Sequence, residues 1–129
     1  MLLKMDELHI EVELQEGLLV VTADGKVALD TALRLFKHVF DMAAENGVTR
    51  ILVNALAVEG ELATYQRYQL GSELASYLAP RQIDFKLALV GTPPTVTGFG
   101  VRVMQNRDII AKTFPVQQEA LRWLEQYPG

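Results

Sequence analysis

Cysteine is absent from this 129-residue chain, and histidine occurs only twice, as His9 and His38. Without cysteine the protein has no disulfide, no thiolate metal ligand and no cysteine nucleophile. Basic residues are also outnumbered, because 12 Lys and Arg stand against 16 Asp and Glu, for a net charge of −4. Binding to nucleic acid or to an anionic membrane surface relies on basic patches. We therefore expect neither of these partners.

Long apolar runs are missing as well. The longest uncharged stretch, residues 87–101, contains two prolines and three glycines, whereas a membrane-spanning helix needs about 20 consecutive apolar residues. The first residues are acidic and lack the apolar run of a signal peptide. We therefore expect no integral membrane segment and a cytoplasmic location. Half of the residues are hydrophobic, which at this length suffices for the core of one domain over residues 1–129.

The hydrophobic pattern of the first half predicts a hairpin followed by a helix and a buried strand. Residues 8–14 alternate between apolar and polar side chains, and residues 18–22 form a second strand after a turn at Gly17. The next stripe of apolar residues predicts a helix capped by Asp30 or Thr31 and ended by Asn46-Gly47. Residues 50–54 are apolar on both faces, which is typical of a central parallel strand.

The second half continues as alternating helices and strands. A helix is predicted from about Leu62 to Leu78, where Pro80 stops it, and residues 85–91 form another buried strand. Residues 92–100 read as a loop that opens a third helix, followed by a short strand at 112–114 and a helix at 116–124. The order is ββαβαβαβα, which predicts a single α/β domain with a mixed central sheet and about four helices.

Motifs for nucleotide binding and nucleophilic catalysis are not found. There is no Walker-type Gly-Lys-Ser/Thr, the third glycine of a dinucleotide fingerprint is missing after Gly98 and Gly100, and no Gly-x-Ser-x-Gly occurs. The loop from Gly91 to Gly98 could bind an anion through its backbone N–H groups, or it is a structural turn. Ser72 and Ser76 are the only serines, in the middle of the second helix. These patterns predict no catalytic residue and no cofactor.

The two histidines favour structural interpretations. His9, Glu11 and Glu13 share one strand face, a spacing that could hold a metal, but a solvated strand face is the favoured interpretation because metal ligands need convergent support. His38 and Asp41 lie three residues apart on a helix, where we expect a hydrogen-bonded surface pair. We therefore predict no metal site.

Candidate binding residues follow the central strands. Ligands of open α/β sheets bind outside the carboxyl ends of parallel strands, and Asn54 and Glu59 follow one predicted strand. Glu59 is a candidate acid–base group, or an acid that complements a helix dipole. Tyr65 and Tyr68 lie on a flank of the second helix away from its apolar stripe. They either form a contact surface or pack under a neighbouring loop. The full set of predicted binding residues is Asn54, Glu59, Tyr65, Tyr68, Thr92 and Arg102.

Three segments carry a resemblance to a known family. Lys86-Leu87-Ala88-Leu89-Val90-Gly91, the stretch Asn106–Phe114 that begins Asn-Arg and ends in Phe, and Glu119-Ala120-Leu121-Arg122-Trp123-Leu124 resemble the STAS/SpoIIAA-like family. The resemblance extends over nearly the whole chain and implies that fold. Anti-sigma-factor antagonists of this group carry a phosphorylated serine after the central strand. Here residues 54–60 contain no hydroxyl and the first one follows at Thr64, so the resemblance implies no phosphorylation site.

The SpoIIAA-like branch also resembles the Sec14-type lipid-binding fold, which implies a groove for an apolar ligand between helices and sheet. Our first hypothesis is a non-enzymatic regulatory or binding module that uses a protein partner or a small ligand at the loops after Asn54 and Gly91. The alternative is a binder of a fatty acyl or other apolar ligand. A homodimer formed through the hairpin or the aromatic helix flank would suit the first hypothesis. A hydrolytic enzyme would need Glu59 or His38 in a pocket.

Overall fold

The computed structural model describes residues 1–126 and contains one six-stranded sheet whose strands follow chain order. Strands β1 to β3 are antiparallel neighbours, and β3 to β6 run parallel. The strands are β1 Leu2–Met5, β2 Leu8–Gln15, β3 Leu18–Lys26, β4 Arg50–Glu59, β5 Lys86–Val90 and β6 Ile110–Phe114. The helices are α1 Leu29–Glu45, α2 Thr64–Leu78, α3 Phe99–Gln105 and α4 Gln117–Glu125, with a 3₁₀ turn at Ala79–Arg81. The predicted mixed sheet and the four helices are confirmed.

Strand β1 precedes the predicted hairpin and was not expected from the sequence. It has only four residues, and Leu2 is 81% exposed, so its hydrophobic pattern is too short to indicate a strand. Its place is set by tertiary pairing instead. The terminal amino group of Met1 donates to the Val12 carbonyl at 2.8 Å, and the Val12 N–H donates back to the Met1 carbonyl.

The start of α1 differs from the prediction. The residue that caps the helix is Ala28, and neither Asp30 nor Thr31 caps it by a side-chain hydrogen bond. Thr31 is buried and donates its hydroxyl to the Asp6 carboxylate at 2.7 Å. This hydrogen bond, helped by the nearby Arg34 guanidinium, holds the pKa of Asp6 below its usual value. The Thr31 hydroxyl, which the sequence pattern predicts to cap α1, thus links α1 to the turn between β1 and β2.

The crossovers divide the core between two faces of the sheet. The parallel strands advance in one direction, so right-handed connections place α1, α2 and α3 on the same face, which we call the three-helix face. The larger apolar core lies there, around Phe40, Ile51 and Leu87. On the other side, the α4 face, Ala120 and Leu124 of α4 belong to a smaller cluster with strand residues such as Leu52, Ala88 and Val90. No helix within residues 1–126 has both the length and the apolar character needed to cross a membrane.

A lysine is buried on the α4 face. Lys86 is 6% exposed, its Nζ donates to the Trp123 carbonyl at 2.9 Å, and the ammonium lies 4.4 Å from the centre of the Trp123 ring. Burial, and to a smaller extent the charge of Arg50, lowers the pKa of Lys86. The folded state therefore holds the proton of this lysine less tightly than the unfolded state does.

The lowered pKa of Lys86 predicts a pH-dependent contribution to stability. Below pH 10.5, the ordinary lysine pKa, the unfolded chain binds more protons than the folded one, so stability rises with pH through the folded-state pKa. We expect the free energy of unfolding of the wild type, measured relative to Lys86→Met, to increase as the pH rises from the folded-state pKa of Lys86 towards 10.5. Urea denaturation of both proteins at each pH measures this difference, and a difference that does not change with pH would contradict the prediction.

Candidate functional site

A cavity of about 120 Å³ lies between the three-helix face of the sheet and helices α1, α2 and α3. Its walls are apolar side chains from strands and helices, among them Phe36, Val53, Ala55, Leu87, Leu70 and Met104. Ligand pockets for drug-sized molecules usually have about 300–1,000 Å³, whereas a dry apolar cavity of about 150 Å³ holds one benzene ring. The cavity therefore suits a small apolar group.

A β-bulge in β4 shapes one wall of the cavity. Thr22 pairs with Asn54 and Asp24 with Ala57, so three steps along β4 match two steps along β3. This extra residue lets both Ala55 and Val58 contribute to the cavity wall. The bulge also explains why β4 runs to Glu59, five residues beyond its predicted end.

Asn54 stabilises this bulge from the opposite face of the sheet. Its Oδ1 accepts the Leu56 N–H at 3.0 Å, and its Nδ2 donates to Oε1 of Gln117 at 2.7 Å, in the first turn of α4. The side chain thus links the bulge to α4 and lies outside the cavity. The contacts seen for Asn54 are structural, and its predicted role in binding stays a prediction.

The loop of residues 92–98 covers the carboxyl end of the parallel strands and is held to the structure on both sides. Thr95 donates its hydroxyl to the Gly60 carbonyl at 2.7 Å, just after β4. Buried Gly91 leaves room for Val96, because a Cβ on this glycine would lie 2.4 Å from Cγ2 of Val96. The loop is therefore a fixed cover whose Thr95, Val96 and Thr97 line the cavity.

Arg67 joins α2 to this loop at the polar end of the cavity, which we define as Arg67, Thr95 and Thr97. Its Nη1 donates to Oγ1 of Thr97 at 2.5 Å and its Nη2 to the Pro94 carbonyl at 2.7 Å, while Nε donates to the Leu62 carbonyl at 2.8 Å. All three acceptors are neutral, and none of the ion pairs found within residues 1–126 includes Arg67. The cavity thus has a guanidinium in its wall with no carboxylate beside it.

The two predicted tyrosines are exposed on α2. Tyr65 is 71% and Tyr68 is 50% exposed, so neither is packed under a loop, and their role in a contact surface stays a prediction. Nη2 of Arg107, which follows α3, lies 3.2 Å from the Tyr68 hydroxyl, and its guanidinium carbon lies 5.9 Å from the centre of the ring. We call Tyr65, Tyr68 and Arg107 the tyrosine surface. It adjoins the cavity through α2, since Tyr65 and Tyr68 precede and follow Arg67 in the sequence.

The remaining predicted binding residues do not converge. Glu59 is exposed at the last position of β4, Thr92 is exposed at the start of the covering loop, and Arg102 is exposed on α3. None of the six predicted residues lines the cavity. The residues that do combine polarity with the cavity, Arg67, Thr95 and Thr97, were missed, although Arg67 stands between the two tyrosines.

The histidines lie apart from the cavity. Nδ1 of His9 is 3.4 Å from the Asp24 carboxylate, on the exposed face of the hairpin, and within the described part of the chain no cluster of three His, Asp or Glu residues could hold a metal ion. The predicted pair of His38 and Asp41 is wrong. The Asp41 carboxylate instead accepts the Tyr77 hydroxyl at 2.8 Å and contacts Arg81, and this hydrogen bond raises the pKa of Tyr77. Neither His38 nor Glu59 lines the cavity.

Comparisons with known proteins identify the fold. No protein-family model and no curated protein sequence matches the chain. Among solved structures, an anti-sigma factor antagonist from Mycobacterium paratuberculosis is similar with a TM-score of 0.60 and 15% identity, over 95% of this chain and 99% of that one. A DUF3478 family protein with a SpoIIAA-like fold from Shewanella loihica is similar with a TM-score of 0.51 and 19% identity, over 96% and 98% of the two chains. The chain therefore has the STAS/SpoIIAA-like fold, as its C-terminal motifs predicted.

Proposed function

We propose that the chain is a non-enzymatic regulatory module that binds a protein partner through the tyrosine surface. The observation that carries this proposal is the pair of exposed aromatic side chains, Tyr65 and Tyr68, on one flank of α2 with Arg107 against the second ring. Tyrosine and arginine are enriched among the residues that dominate the energy of protein interfaces. Their rings offer large apolar contact area with few rotatable bonds, so little entropy is lost on binding.

The structural similarity supports a regulatory role for this module. The similar structure from Mycobacterium paratuberculosis is an anti-sigma factor antagonist, so a chain of this fold serves there in regulation by protein contact. In our protein residues 54–60 contain no serine or threonine. We propose that partner binding here is regulated without a phosphorylated serine at that position, and we place the module in the cytoplasm.

The double variant Tyr65→Ser/Tyr68→Ser tests the tyrosine surface. Truncation of interface residues at the energetic centre costs about 2 kcal/mol or more each, so we expect the partner to be recovered at least tenfold less from cell extract on the variant than on the wild type. Quantitative mass spectrometry of the captured proteins measures this ratio. Because both side chains are exposed, the free energy of unfolding should change by less than about 0.5 kcal/mol each.

A matched double variant provides the control. Glu11→Ser/Glu13→Ser changes two exposed residues of β2 on the hairpin, and it should retain the same partner. If no captured protein distinguishes the tyrosine variant from this control, the proposed surface is wrong. Sedimentation of the purified proteins shows whether the partner is a second copy of the chain, since a homodimer would then dissociate in the tyrosine variant alone.

The cavity favours a second candidate function, the binding of a small apolar ligand. Cores of proteins are normally packed with few voids larger than a water molecule, yet here about 120 Å³ stays open between sheet and helices. The position of this space agrees with the groove that the family resemblance implies. Its size supports a small apolar group as the occupant and not a long lipid chain.

A further inference from the structure

We propose that the cavity binds a short-chain apolar carboxylate, with its tail among the apolar walls and its carboxylate on the Arg67 guanidinium. This inference rests on the second candidate function and names the chemical class of its ligand. It joins two independent observations, the volume of the cavity and the state of Arg67 at its polar end.

The volume sets the size of the tail. A cavity of about 150 Å³ accommodates the six carbons of benzene, so the 120 Å³ available here fit roughly five carbons by the same proportion. The walls formed by side chains such as Phe36, Leu70 and Met104 offer no polar partner deep in the cavity. A polar group on the ligand must therefore lie at the end where Arg67, Thr95 and Thr97 are found.

The hydrogen-bond partners of the Arg67 guanidinium indicate the charge of the ligand's head group. A guanidinium carries five N–H donors, and three of them point to neutral oxygens of Leu62, Thr97 and Pro94. A carboxylate would accept two parallel charge-assisted bonds from the planar fork, which are about twice as strong as bonds to neutral acceptors. The bonds to Thr97 and Pro94 belong to the covering loop, so a carboxylate can replace them without disturbing the fold of α2.

A single negative charge suits this end of the cavity better than a phosphate. The N–H of Ala63, the residue that caps α2, already bonds to Oε1 of Gln66 at 2.9 Å. Exposed Glu59 and Glu61 flank Gly60, whose carbonyl anchors Thr95 of the loop. The single guanidinium at this end, with two acidic residues on the segment that anchors the loop, offers too little positive charge for a dianion, whereas a monocarboxylate matches it.

The test compares hexanoate with hexan-1-ol, which has the same tail and no charge. Isothermal titration calorimetry should show that the wild-type protein binds hexanoate about tenfold or more tightly than hexan-1-ol, since hydrogen bonds to charged groups contribute about 1.5–3 kcal/mol. Arg67→Gln should lower the affinity for hexanoate about tenfold and leave that for hexan-1-ol unchanged, and Arg67→Lys should restore part of it. Benzoate carries the same carboxylate head group, so its affinity should change among the Arg67 variants in the same way as that of hexanoate.

A pair of alanine variants on β4 locates the tail. Ala55→Leu adds three carbons to the cavity wall and should abolish binding of both compounds, whereas Ala57→Leu, an exposed position outside the wall, should leave both affinities unchanged. In ¹⁵N-labelled wild-type protein the Arg67 Nε–H resonance should shift with hexanoate and stay in place with hexan-1-ol, a readout that needs no variant.

The possible failures are distinguishable. Equal affinity of the wild type for hexanoate and hexan-1-ol, with both lost in Ala55→Leu, would overturn the carboxylate inference and leave the apolar-ligand function standing. Binding of neither compound would overturn both. Binding of hexanoate that survives in Ala55→Leu would place it elsewhere on the surface and would also overturn the proposal.

Discussion

Replacing Gly25 by alanine should destabilise the protein by about 3–5 kcal/mol. Gly25 has a φ of +115°, which L-residues rarely adopt, and a Cβ at this position would lie 2.0 Å from the backbone oxygen of Glu7. Both the strained backbone and the clash act on the same residue, and the oxygen cannot move freely because it accepts the Lys26 N–H at 3.2 Å. Urea denaturation followed by circular dichroism measures the loss.

Gly17→Ala is the matched control for Gly25→Ala. Gly17 also has a positive φ, +68°, but a Cβ there would have no neighbour within 4 Å. This variant carries backbone strain without a clash, so we expect a cost of about 1–2 kcal/mol. The difference between the two variants measures the close approach of Glu7 to Gly25 together with the less accessible φ of Gly25, and equal costs would show that this approach is not tight.

The same glycine explains where sequence reasoning failed for the fold. The segment Ala23-Asp24-Gly25-Lys26 has the composition of a turn, so the strand is predicted to end at Thr22, yet β3 continues to Lys26. Gly25 leaves room there for the backbone of Glu7, in the turn between β1 and β2, and does not reverse the direction of the strand. The composition of this segment does not distinguish a glycine that forms a turn from a glycine that leaves room for a neighbouring backbone. Only the position of the partner strand makes that distinction.

The elements with strong periodicity were predicted because their cause is local. The apolar stripe of α1 and the double-sided apolar run of β5 depend on burial within the element itself, and they appear within a few residues of the predicted positions. The end of β4 was missed because a bulge, stabilised by Asn54 and its partner Gln117 63 residues away, extends the strand. No window of the sequence contains both residues.

In the candidate site, too, residues with a local pattern were predicted and a residue that depends on distant contacts was missed. The exposure of Tyr65 and Tyr68 follows from their position on the helix relative to the apolar stripe, and the structure confirms it. Arg67 was missed because a lone arginine between two tyrosines has no local pattern. Its importance comes from Thr97 and Pro94, about 30 residues further along the chain, which the parallel topology brings to the carboxyl end of the sheet.

Gly71→Ala is the second substitution expected to have a large effect, with a loss of about 1–3 kcal/mol in the free energy of unfolding. Alanine is favoured over glycine inside a helix by about 1 kcal/mol, so an exposed position would gain stability. At Gly71 a Cβ would instead lie 2.6 Å from the Gly100 carbonyl oxygen and 3.0 Å from Cβ of Val103. Since the first of these atoms belongs to the backbone, α2 and α3 must move apart.

The separation of α2 and α3 should also reach the cavity, because Gly71 and Gly100 both line it. Gly71→Ala should therefore weaken hexanoate binding along with stability, measured by calorimetry and urea denaturation on the same preparation. Gly100→Ala is the matched control across the same contact, since its Cβ would lie 3.4 Å from the Arg67 carbonyl oxygen, an ordinary contact distance. We expect that variant to change stability by less than about 1 kcal/mol. Equal effects of the two substitutions would contradict the tight crossing at Gly71, because of the two positions only Gly71 would bring a Cβ as close as 2.6 Å to a backbone atom.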